Sequence, residues 1–161
     1  MSRDNIMVNL YSPPQLVDPY QNALVELVRG IEWSEGESSL ILARCNSQRL
    51  RQEMMQRLKA LCPGTVRDVV LEGSIEILYA ILKTQLDREL PQAVTISGFE
   101  SVTTLDSLLA NTDVYRNDIL KTFRCPIVWW VNDNTLRKII RLAPHTYSMF
   151  TTVDFTVAAL A

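Results

Sequence analysis

Four residues in one short stretch have the types and spacing to do chemistry: Arg44, Asn46, Ser47 and Arg49, within Arg44-Cys45-Asn46-Ser47-Gln48-Arg49. The stretch follows an apolar run and precedes a helical repeat. It therefore offers two guanidinium groups, an amide and a hydroxyl at a helix start. Exposed N–H groups and the helix dipole favour an anion there, so a phosphate held by Arg44 and Arg49 is one expectation. Cys45 lies in the same turn, beside Arg44, a position that can lower a thiol pKa. The only histidine, His145, follows Pro144 on a later segment. A small core residue is the competing reading of Cys45, and a packing histidine that of His145.

The turn lacks the groups that grip a triphosphate. A GxxxxGK[ST] cradle uses glycines so that main-chain N–H groups curl around phosphate, and a lysine for the terminal phosphates. Residues 44–49 contain neither glycine nor lysine, and Gly64, Gly73 and Gly98 stand alone, so GxGxxG is absent too. Where an acidic Mg²⁺ ligand would end the third strand, the chain reads Ser97-Gly98, with Glu100 the nearest carboxylate. A phospho-acceptor site fails as well, because Arg44-Cys45 stands where an acidic pair is needed. Cys45, Cys62 and Cys125 form no CxxC and share one histidine, which supports neither a disulfide framework nor zinc.

The elements that position these residues follow from periodicity. Ser39–Ala43, Val66–Leu71, Ala93–Ser97, Pro126–Val131 and a segment within Met149–Val157 read as strands, and the nearly continuous apolar run at Ser39–Ala43 marks two-sided burial. Asp18-Pro19 is expected to start a helix carrying Leu24, Leu27, Val28 and Ile31. A second helix carries Leu50, Met54, Leu58 and Leu61 after a cap at Asn46 or Ser47. A third, led in by Gly73-Ser74, carries Ile75, Ile77, Leu78, Ile81, Leu82 and Leu86 on its inner side and is ended by Pro91. A fourth starts near Leu105, with a break near Asn111-Thr112-Asp113. A fifth, capped by Asn134-Thr135, ends at Pro144. Alternation of this kind predicts an α/β fold: three αβα layers around a mostly parallel five-stranded sheet. Trp129 and Trp130, adjacent on a strand, should pack under opposite layers.

Composition bounds the rest. At 161 residues the chain fits one domain with a proper core. Lys and Arg total 16 against 18 Asp and Glu, which argues against a nucleic-acid partner. No apolar run nears the ~20 residues of a membrane helix, and Met1–Leu10 lacks a signal-peptide core, so a cytoplasmic protein is expected. Basic side chains on the second helix (Arg49, Arg51, Arg57, Lys59) and the fifth (Arg137, Lys138, Arg141) read as solvated faces. Residues 1–17 read as an extended arm. Residues 18–161 read as a single domain whose apolar ending, Val157 to Ala161, suggests a piece of a longer chain.

The order of elements resembles the nucleotide-binding core of AAA+ and STAND-type signalling ATPases in degenerate form, as at the N-terminus of cyanobacterial repeat-containing signalling proteins. The likeness runs from about Ala23 to Phe155. It is carried by Ser39–Ala43 with Asn46–Leu50, by Ala93–Glu100, by Pro126–Val131 and by Leu142-Ala143-Pro144. It implies a P-loop-NTPase-like fold. Because the Walker lysine, glycines and aspartate have no counterpart, it implies no ATP turnover, no catalytic residue, no metal and no cofactor. The function it implies is an interaction or regulatory domain acting on protein partners or neighbouring domains, with homo-oligomerisation open. A non-canonical phosphate-ligand module using Arg44 and Arg49, with Asn46 and Ser47, is the alternative; a thiol enzyme using Cys45 is the second alternative.

Overall fold

The computed structural model describes residues 18–156. The arm at 1–17 and the ending at 157–161 lie outside them. The elements are α1 (Gln21–Trp33), β1 (Ser39–Arg44), α2 (Gln48–Leu61), β2 (Val66–Val70), α3 (Leu78–Gln85) and β3 (Ala93–Ser97). After a 3₁₀ turn at Phe99–Ser101 come α4 (Leu105–Thr122), β4 (Pro126–Val131), α5 (Asp133–Leu142), α6 (Pro144–Tyr147) and β5 (Phe150–Asp154). The five strands form one parallel sheet in the order β2-β3-β4-β1-β5. The fold is α/β in three layers, as expected.

Strand pleating sorts the core into two clusters. Leu40, Leu42, Val94, Ile96, Ile127 and Trp129 face α3, α4 and α5. Ile41, Ala43, Val128, Trp130 and Val153 face α1 and α2, meeting Leu24, Leu27, Ile31, Met54 and Leu58. The adjacent tryptophans thus anchor opposite layers. Trp129 stacks on Phe99 at 4.8 Å between ring centroids, and Trp130 meets Phe155 at 5.2 Å.

Several helix boundaries differ from the sequence expectation. Asp18 is not the cap of α1: its carboxylate accepts the Tyr20 N–H at 2.9 Å and pairs with Arg57, fixing the turn that leads in. In α2 the cap is Ser47, whose Oγ accepts from Leu50 N at 3.1 Å. Helix α3 starts at Leu78 instead of near Ser74, because Gly73 is bridged to Val102 and its backbone is committed to that loop. Helix α4 is unbroken through Asn111-Thr112-Asp113. Asn111 and Asp113 bond outside the helix, to Glu76 O and to Thr146, while Thr112 back-bonds to Leu108 O one turn earlier in α4 itself. Asn132, not Asn134, caps α5, accepting from Thr135 N at 2.8 Å. Pro144 opens the short helix α6, where a missing N–H is harmless, so His145 is helical.

Right-handed crossovers decide where the sheet opens. Leaving β1, the chain passes through α2 on one face; leaving β4, the neighbouring strand, it passes through α5 on the other. The carboxyl ends of β1 and β4 are therefore the point at which a parallel sheet parts to admit a ligand.

Candidate functional site

At that point the crevice is bridged by the protein's own charges. Arg44, the last residue of β1, donates from Nε to Asp133 Oδ1 at 2.7 Å and from a terminal nitrogen to Oδ2 at 3.2 Å. Its other terminal nitrogen reaches Asp154 Oδ2, at the end of β5, at 3.1 Å. Asn46 makes a reciprocal pair with Asp133: its Nδ2 donates to Oδ2 at 3.0 Å, and Asp133 N donates to its Oδ1 at 2.8 Å. One guanidinium and two carboxylates, each about one-third exposed, thus tie the ends of β1, β5 and α5. Arg44 and Asn46 hold the Asp133 carboxyl below its ordinary range, with Arg44 the larger influence. Asp154 is partly desolvated, which works the other way. Hydrogen bonds from Thr156 and the Arg44 charge outweigh that, and its pKa is also lowered.

The turn between β1 and α2 has no room to wrap an anion. Three residues connect the elements, and the first, Cys45, donates its N–H to Val131 O at 2.9 Å. Positive φ occurs among the described residues only at Gly36, Gly73 and Gly98, none of them in this turn. Ser47 Oγ is committed to the cap. Arg49 is exposed on the first turn of α2. The four predicted residues are therefore close in space only as a strand end and a helix start. Two of them face inward to carboxylates instead of outward to a ligand.

The remaining strand-end groups follow the same rule. Glu100, the nearest acid to the end of β3, pairs with Arg51 at 2.8 Å. Lys138 pairs with Asp106 at 2.8 Å, and Arg57 and Lys59 with Asp18 and Asp68. Arg49, Arg137 and Arg141 are exposed, as the solvated-face reading expects, while Arg51, Arg57, Lys59 and Lys138 also pair with carboxylates of other elements. Beside the crevice, between the β3–α4 connection and the start of α5, lies a polar cleft of about 540 Å³ lined by Glu100, Thr103, Asp106, Asn132 and Lys138. None of the predicted residues lines it.

Cys45 is buried; burial raises its thiol pKa, with a hydrogen bond to Ser47 O and the Arg51 charge opposing. Desolvation therefore wins over the helix terminus. His145 lies at the amino end of the sheet, just before β5, while Cys45 lies at the carboxyl end just after β1. A strand's length separates them. The imidazole meets Asp113 at 3.0 Å instead. The three cysteines are free and buried. Among the described residues no group of three or more His, Cys, Asp or Glu could hold a metal ion. No helix among them is long and apolar enough to cross a membrane.

Asp133 and Asp154 are the residues that sequence reasoning passed over. Both were legible as acids at strand ends, but their spacing to Arg44 is set by the order β4-β1-β5, which no local pattern reveals. Comparison with protein-family models, with curated proteins and with solved structures gives no match to this chain.

Proposed function

We propose that this domain is a non-catalytic, P-loop-like interaction or regulatory module of a larger signalling or scaffold protein, acting through protein partners or neighbouring domains of its own chain. The observation that carries this reading is the Arg44 clamp. Where a nucleotide's phosphates would sit, the domain places Asp133 and Asp154, and it spends its guanidinium on them. A polyphosphate entering there would break two ion pairs and face two carboxylates, a like-charge encounter that phosphate sites avoid. The same bridges fasten β1, β5 and α5, so the strand-end residues serve rigidity.

Isothermal titration with Mg-ATP tests it. No heat beyond dilution is expected at millimolar nucleotide. Micromolar binding that requires Mg²⁺ would overturn the reading. Of the four residues the phosphate-module alternative uses, Arg44, Asn46 and Ser47 already have hydrogen-bond partners among the described residues. The thiol alternative has a buried sulfur and no base within reach, so neither is favoured.

A further inference from the structure

No residue of the Arg44 clamp lines the polar cleft of about 540 Å³ beside the crevice, and two other kinds of polar group open into it. The first is the start of α4, where Leu105, Asp106 and Ser107 line the cleft. No side chain caps this helix, because the Thr104 hydroxyl donates to Ile75 O at 2.7 Å instead. Uncapped N–H groups at the start of an 18-residue helix carry the positive end of its dipole. The second is Thr135, on the first turn of α5, which is 2% exposed and lines the same cleft. Its N–H is taken by Asn132, but its Oγ1 has no hydrogen-bond partner among the described residues. That hydroxyl is not sealed in: the sealed and unpartnered side-chain atoms among the described residues are Ser39 Oγ, Arg51 Nε and Trp130 Nε1. The small exposure that Thr135 keeps is therefore in part polar, and the cleft receives it.

We propose that this cleft binds a small zwitterion, an α-amino acid with a short uncharged side chain. Its carboxylate accepts from the first turn of α4 and from Thr135 Oγ1, a few convergent donors of the kind that orient a ligand in a cleft. The charges on the walls decide the class. Glu100, paired with Arg51, and Asp106, paired with Lys138 at 2.8 Å, place two carboxylates there. A phosphate would meet both acids, and a bare cation would meet the positive end of α4. A carboxylate with an ammonium on the neighbouring carbon suits both: one end faces the donors, the other the acids. Val102 and Leu105, 7% and 8% exposed, offer only a small apolar area, which limits the side chain to a short one.

Two-dimensional amide NMR on the full chain, titrated separately with L-alanine, acetate and inorganic phosphate, tests the assignment. L-alanine is expected to give saturable shifts at the Thr103 to Ser107 and Thr135 amides, with a Kd in the millimolar range. Acetate, which lacks the ammonium, should need at least about 5-fold higher concentration, and phosphate should not saturate there. Thr135→Val keeps the side chain's shape without its hydroxyl and should weaken L-alanine by about 10-fold. Asp106→Asn, at a side chain 61% exposed, should weaken L-alanine by about 3-fold and leave acetate no weaker. An absence of saturable shifts with L-alanine overturns the inference. So do acetate or phosphate binding equally well, and L-alanine shifts confined to other parts of the protein. Unchanged L-alanine affinity in either folded variant overturns it equally.

Discussion

If Asp133 and Asp154 are what keep anions out of the β1–α2 turn, then neutralising them should create an anion site. The Asp133→Asn/Asp154→Asn variant changes the cluster from one positive and two negative charges to one positive charge, with side-chain shape kept. Both carboxylates are about one-third exposed, so a solvent-like dielectric applies. At a separation of about 5 Å, a carboxylate repels each unit of phosphate charge by about 0.8 kcal/mol in such a medium. For two carboxylates and a phosphate carrying about −1.5, the relief is about 2.5 kcal/mol, or roughly 70-fold in affinity. Arg44, released from both partners, would add its own donors. Phosphorus NMR titration of inorganic phosphate at low ionic strength reads this directly, with circular dichroism confirming that the variant is folded. The unaltered domain should show no saturable shift, and the variant should saturate at millimolar phosphate, with the effect fading as salt is raised. Equal affinity in the two proteins would refute the idea that internal carboxylates close the crevice.

The remaining predictions concern how the frame is held. Trp129→Ala, removing a side chain 2% exposed and stacked on Phe99, should cost about 3–5 kcal/mol in urea unfolding. Gly98→Ala should cost about 2 kcal/mol or more, because Gly98 has φ of 89° and a Cβ there would strike the Leu71 carbonyl, whose residue is bonded to Ser97. Asp113, on α4, is half-buried against α6. Desolvation opposes its ionisation, but hydrogen bonds from His145 and Thr146 prevail and lower its pKa. Its stabilisation is therefore complete above the unfolded value of about 3.9 and is lost as pH falls through the lower folded value. Asp113→Asn should cost about 1–3 kcal/mol at pH 7, and the gap to the unaltered protein should narrow in melts below pH 4. Iodoacetamide at neutral pH should leave Cys45 and Cys125 unmodified until urea is added, since burial raises both thiols, Cys125 to about 11.

The sheet was legible because its signal is local. Ala93–Ser97 and Pro126–Val131 are apolar runs of strand length, and both strands occupy those residues. Two-sided burial writes itself into composition without any knowledge of neighbours. Helix boundaries were less legible where a tertiary bond outbids a local one. Asn111, Thr112 and Asp113 look like a break, yet α4 continues because Glu76 and Thr146 take up two of the side chains. Asn134 looks like a cap, yet Asn132 wins because β4 ends at Val131 and the helix can begin at once. The candidate site was legible in position but not in meaning. Arg44 stands where a ligand would be met, but whether a guanidinium is free depends on carboxylates 89 and 110 residues away in sequence.

The two ends of this reasoning join at β5. Its last residue, Asp154, helps to hold Arg44 and so to close the carboxyl edge of the sheet. Among the described residues its outer edge pairs with no strand and lies beside an apolar groove. A strand pairing along the full outer edge of β5 would pass beside Asp154, the strand's last residue. Ordering that edge would therefore stiffen the clamp, and loosening it would free a carboxylate from Arg44. In the reading proposed above, an edge can be coupled to a strand end through one shared strand without phosphate chemistry at β1. For a domain read as regulatory, that coupling is a more economical basis for function than a ligand in the crevice: it needs only that whatever occupies the edge differ in affinity for the clamped and released forms.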